Sequence, residues 1–66
     1  MTTWSVELSV TEKSEGQQRT IRRTFRYDES QPTSAVNHAL AEVFAGAAEE
    51  GKTIIGITIS TPVQGR

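Results

Sequence analysis

Sixty-six residues with seven basic and eight acidic side chains, net charge −1, make one domain with no general pull toward nucleic acid or anionic membrane. Cysteine is absent and histidine occurs once, which excludes a disulfide staple, a thiolate metal ligand and the common zinc sites. A chain of this length buries only about 60% of its unfolded surface, and small unstapled scaffolds often reinforce such a core by oligomerising.

The amino-terminal stretch MTTWSVELSV has no basic region followed by an apolar core, so it does not read as a secretory signal. No apolar run approaches the roughly 20 residues needed to span a bilayer. The expectation is a soluble cytoplasmic protein.

Residues 4–10 alternate. Trp4, Val6, Leu8 and Val10 point one way, and Ser5, Glu7 and Ser9 the other, the period of a half-buried strand. Thr11 to Gln18 is polar and reads as a loop of undetermined shape, too long for a tight two-residue hairpin, with Gly16 available for a positive φ. Residues 19–27 form the second strand, with Ile21, Arg23, Phe25 and Tyr27 on one face and Arg22, Thr24 and Arg26 on the other. Arg23 on the apolar side suits an edge strand, where the guanidinium reaches water past its neighbours.

The helix is expected over about 33–50, after a turn in which Pro32 holds Gln31 extended. Thr33 or Ser34 is its candidate cap, and Gly51 its stop. With Leu40 at the centre of the stripe, Val36, Val43, Phe44 and Ala47 fall on the buried face. His38, Glu42 and Glu49 fall on the solvated face, with His38 one turn from Glu42. Ala35, Ala41, Ala45 and Ala48 make the flanks smooth, and Gly46 extends that surface. Residues 53–60 form the third strand, with Ile55, Ile57 and Ile59 facing inward and Ile54, Gly56 and Thr58 outward. Residues 61–66, after Pro62, are expected to be a frayed tail.

The order is β-β-α-β. A right-handed return over the sheet places the third strand beside the first. The expected architecture is an α+β two-layer sandwich: a three-stranded antiparallel sheet in the order 2-1-3, with one helix packed on one face. Several unrelated small folds share this order, so it licenses no function.

No motif carries chemistry. The glycines are isolated, the serines have no evident base, and the carboxylates are not at calcium-loop spacing, so neither a cofactor, a metal site nor catalytic activity is expected. The uncharged, isoleucine-rich third strand is a poor lone edge. Ile54, Gly56 and Thr58 are the candidate self-association edge, and the helix flank is a second candidate, so a small interaction or regulatory module that forms a homodimer is the leading expectation. A strand from another protein could also add there. The alternative is nucleic-acid binding by the second strand through Arg19, Arg22, Thr24 and Arg26, since guanidinium forks suit phosphate and base edges. It is less favoured, because the positive charge is local and all four aromatics, Trp4, Phe25, Tyr27 and Phe44, are placed inward.

Overall fold

A computed structural model describes residues 2–64. Two strands, β1 (Thr2–Ser14) and β2 (Gln17–Glu29), form a long hairpin. They are followed by α1 (Pro32–Glu50), β3 (Thr53–Ile59) and a short β4 (Val63–Gln64). The sheet order is β2-β1-β3 with every pair antiparallel, and the helix packs on one face. This is the expected α+β architecture.

The hairpin is longer and tighter than its composition suggests. Each strand runs 13 residues, and the polar stretch expected to be a loop too long for a two-residue hairpin pairs almost throughout. Only Glu15 and Gly16 remain for the turn, at φ 52° and 80°. Two positive φ values match the mirror-image two-residue turn whose twist suits a hairpin. Gly16 meets that demand freely and Glu15 does not. A 13-residue strand rises about 43 Å, which accounts for the molecule's 42 Å length. The 19-residue helix spans only about 28 Å, so it leaves one end of the hairpin uncovered.

Val6, Leu8 and Val10 on β1 are fully buried beneath Ala35, Ala39 and Val43 of the helix. Central strand and central stripe meet, as the alternation requires. The stripe is rotated from its expected position. Ala35, placed on a smooth outer flank, is buried, and Ala39 and Val43 replace Leu40 at its centre. Small side chains let the helix lie close to the sheet. Val36 and Leu40 are half-buried at the margin, and Phe44, expected inward, is 52% exposed.

The helix ends also have physical accounts. Gln31 is the N-cap in extended conformation and makes no side-chain capping bond, so neither Thr33 nor Ser34 takes that role. Pro32 begins the helix, where its missing N–H costs nothing. Gly51 closes it in the left-handed conformation, with its N–H directed to the Ala47 and Ala48 carbonyls.

One β-bulge governs β3. Thr11 pairs with Gly56 and the next residue, Glu12, pairs with Ile54, so Ile55 is the extra residue. The bulge reverses the expected alternation at that end. Ile54 packs against the core, and Ile55 is 49% exposed. Beyond it, Ile57 and Ile59 sit opposite Val10 and Leu8, on the helix side. The stretch expected to fray is ordered in part. Val63 and Gln64 pair with Ser5 and Trp4, continuing the same margin of β1 below β3. The end of that expected tail lies outside the described residues.

Candidate functional site

Among the described residues, three main surfaces are left after the core is made. The first is the outer sheet face. It carries Arg22, Thr24 and Arg26 opposite Ser9, Glu7 and Ser5. Among the described residues neither arginine forms an ion pair, and Glu7, between them on the neighbouring strand, reaches neither at ion-pair distance. Thr11 and Thr20 share a 3.0 Å hydroxyl hydrogen bond, and the Thr3 hydroxyl donates to Asp28 at 2.6 Å. Lys13, opposite Gln18, lies on the same face. Lys13, Arg22 and Arg26 therefore recur every four residues along the hairpin, about 13 Å apart. Arg19 does not join them. It sits opposite Glu12 on the helix side.

The second surface is the uncovered hairpin end. The alternation Val6, Leu8, Val10 continues to Glu12, which is only 8% exposed. Its Oε1 atom lies 3.7 Å from an Arg19 guanidinium nitrogen and 3.7 Å from Lys52 Nζ, beyond direct hydrogen bonding to either. Lys52 also reaches Glu50 at 3.4 Å, which relieves an acidic residue at the negative helix end. A cavity of about 360 Å3 opens here, bordered by Glu12, Ser14, Gln17, Arg19 and Lys52. The arrangement is an electrostatic clamp. One buried carboxylate ties the far end of β1 to β2 and to the entry of β3. The signal for it was legible, since Glu12 and Arg19 extend the two core-facing registers by one step each.

A smaller polar cluster lies on the β2 side of the helix. His38 Nδ1 is 3.2 Å from the Glu29 carboxylate, and its ring meets Tyr27 edge-on at 5.1 Å. The histidine is thus turned to the sheet margin rather than committed to Glu42. Burial, and then the nearby Glu42 carboxylate, push the Tyr27 phenol up to about 12. Among the described residues the Tyr27 hydroxyl is buried with no partner at hydrogen-bonding geometry, Glu42 lying near it without closing a bond. Arg23 rests its guanidinium 5.2 Å from the Phe25 ring centre, the snorkelling arrangement expected of an arginine on an apolar face.

The third surface is the β3 margin. His38 and Glu42 place one side of the helix over β2. At about 100° per residue the Val36, Leu40 and Phe44 side faces the other way, toward β3. Phe44, Ile55 and Ile59 are all substantially exposed, and Ile57 is half-buried. No residue of β3 is charged. The backbone direction follows from one bond. The Ser60 N–H donates to the Glu7 carbonyl at 3.0 Å. Alternation along an antiparallel ladder then turns the N–H and C=O groups of Gly56 and Thr58 toward β1, and those of Ile57 and Ile59 to the free edge. Of the expected edge residues, Ile54 packs inward while Gly56 and Thr58 pair with Thr11 and Ser9. The sequence pattern turns Ile57, Ile59 and Phe44 inward and so does not mark them as this margin. A bulge and a rotation of the helix stripe by roughly 80° separate those readings, and neither has a strong local signal.

Among the described residues no group of three or more acidic, histidine or cysteine side chains is placed to hold a metal ion. No helix among them is long and apolar enough to cross a membrane. Comparison with protein-family models, curated proteins and solved structures returns no match.

Proposed function

We propose that the chain is a small cytoplasmic interaction or regulatory module, without catalytic activity, that self-associates through β3 and the adjoining helix flank. One observation carries this reading: an uncharged edge strand lies beside an apolar helix flank on which Phe44 is exposed and Val36 and Leu40 are half-buried. Isolated edges are normally blunted by lysine, proline or inward charge. This one has none of these within the strand, and its bulge at Ile55 interrupts only the end before Gly56. Two copies meeting there bring no like charges of β3 together, satisfy edge amides, and cover Phe44.

Light scattering over a range of concentrations tests the proposal. The expected result is a molar mass of twice the chain. Phe44→Glu and Ile57→Lys each return the mass to that of one chain while the circular dichroism of the fold persists. A folded wild-type chain that stays monomeric throughout the range would sink the proposal.

A second reading is supported by the regular spacing of Lys13, Arg22 and Arg26 on the outer sheet face. Such a row suits a polyanion such as nucleic acid. Its affinity should fall steeply with salt. Arg22→Ala combined with Arg26→Ala should abolish most of the binding, and an unchanged affinity would remove this surface from consideration.

A further inference from the structure

On the basis of the self-association proposed above, we infer that β3 pairs antiparallel with β3 of a second copy about a two-fold axis through Thr58. The register follows from where β3 is regular. Its ladder with β1 is interrupted at Ile55 by the bulge, and Ser60 is the last residue bonded to β1 before Pro62. The uninterrupted segment is therefore residues 56–60, and Thr58 is its midpoint. An axis at that point makes the segment complementary to itself.

The hydrogen-bonding groups agree. Ile57 and Ile59 present their backbone N–H and C=O groups to the free edge, on either side of Thr58. In this register Ile57 of one copy faces Ile59 of the other, and the two resulting pairs exchange both of their bonds. Thr58 faces its own counterpart in the close, non-bonded position on the outer face, where paired threonines are favourable. An axis at Ile57 would instead require the bulged Ile55 to pair with Ile59, across backbone that has left the regular ladder.

The side chains agree as well. A two-fold axis perpendicular to the sheet keeps both helices on the same face of one continuous sheet, in the order β2-β1-β3-β3-β1-β2 with each β4 beside its β1. If each helix lies over its β1, the two axes stand three strand spacings apart, about 14 Å. Direct helix contact needs only 8–10 Å. The intervening groove takes long side chains, and each helix supplies Leu40 and Phe44 on that flank. Ile57 and Ile59 form its floor. The covered side is about 28 Å long from the helix length, and the molecule is 15–18 Å across. Two such faces cover roughly 850–1,000 Å2 together, the size range of a small, reversible interface at the lower bound for specific association. A second copy is also electrically suited to this seam, because β3 brings no charge to either side.

Single-cysteine variants read the register, since the chain has no cysteine of its own. Across the axis, the Thr58 Cα atoms stand about 4.5 Å apart, within disulfide reach. Equivalent Ile57 or Ile59 atoms stand about 8 Å apart, beyond it. Thr58→Cys should oxidise to a covalent dimer at least about ten-fold faster than Ile57→Cys or Ile59→Cys alone. Mixing Ile57→Cys with Ile59→Cys should restore cross-linking between the two variants. Preferential self-linking of Ile57→Cys overturns the Thr58 axis. A dimeric wild-type mass without any cross-link through β3 also overturns the inference, while leaving self-association through the helix flank in place. A wild-type chain that stays monomeric by light scattering, with no cross-link in any variant, removes both.

Discussion

Lys52 Nζ and Glu12 Oε1 stand 3.7 Å apart, immediately beside the bulge that changes the register between β1 and β3. The clamp and the bulge belong together. A bulge weakens the ladder locally, and the Glu12 carboxylate holds the loosened strand end through charge. Arg19 draws on the same oxygen from the other neighbouring strand. Removing one partner from a buried pair costs more than an exposed pair contributes, although the exposure of Arg19 moderates the cost. Glu12→Gln should lower stability by about 1–3 kcal/mol, read by urea denaturation. Lys13→Gln, next in sequence but exposed on the outer face, should change it by less than about 0.5 kcal/mol. Equal effects from the two would mean that Glu12 is not acting as a clamp.

Gly46 offers a gain in stability. It lies within the helix, and a methyl group added there meets nothing within 4 Å. Alanine in place of an interior helix glycine is worth about 1 kcal/mol through backbone entropy alone. Gly46→Ala should raise stability by that amount with the fold unchanged. A loss of stability would show that this position must stay small for something that docks against it.

Much of this architecture is written in short-range pattern. Alternation from Trp4 to Val10 defines the central strand, and its buried face is the observed one. Gly51 ends the helix where a left-handed residue is needed. The sheet order follows from strand adjacency and the handed return of the chain. What pattern does not carry is how elements settle on one another. Hydrophobicity puts Leu40 at the centre of the helix stripe with Phe44 on its buried face, but close packing selects Ala35 and Ala39 because the helix can then approach the sheet. Composition marks residues 11–18 as loop, yet polar residues pair readily when one strand face is solvated. The candidate surfaces depend on these tertiary choices. Arg22 and Arg26 are on the face that alternation gives them, whereas the edge shifts from Ile54 to Ile57 and Ile59 through a single extra residue.

The turn at Glu15 and Gly16 leaves strain in the hairpin. Glu15 adopts φ 52°, a conformation that asparagine tolerates far better than glutamate. Asn-Gly is the preferred pair for this turn. Glu15→Asn should stabilise the chain by about 0.5–1 kcal/mol, seen as a higher midpoint in urea with an unchanged slope. Glu15→Val, β-branched and ill-suited to positive φ, should shift the midpoint the other way. If both variants match the wild type, the tip is not held in this turn.

Tyr27 is the only tyrosine, so its ionisation can be followed directly by tyrosinate absorbance. Its phenol is raised from 10.0 to about 12, first by burial and then by Glu42, against a smaller opposing effect of Arg23. The neutral form is therefore favoured in the folded chain. The sign of the linkage follows: the contribution is fully present below pH 10, and it is lost as pH rises from 10 toward 12, where the unfolded chain has released a proton that the folded chain retains. The slope is at most about 1.4 kcal/mol per pH unit. Tyr27→Phe should flatten this part of the stability profile while leaving any lysine titration in place. Glu42→Gln should bring the midpoint part of the way down, because burial remains. A wild-type midpoint at the ordinary phenol value in the folded chain would mean that the Tyr27 hydroxyl is solvated, and with it that the helix does not close over this end of β2.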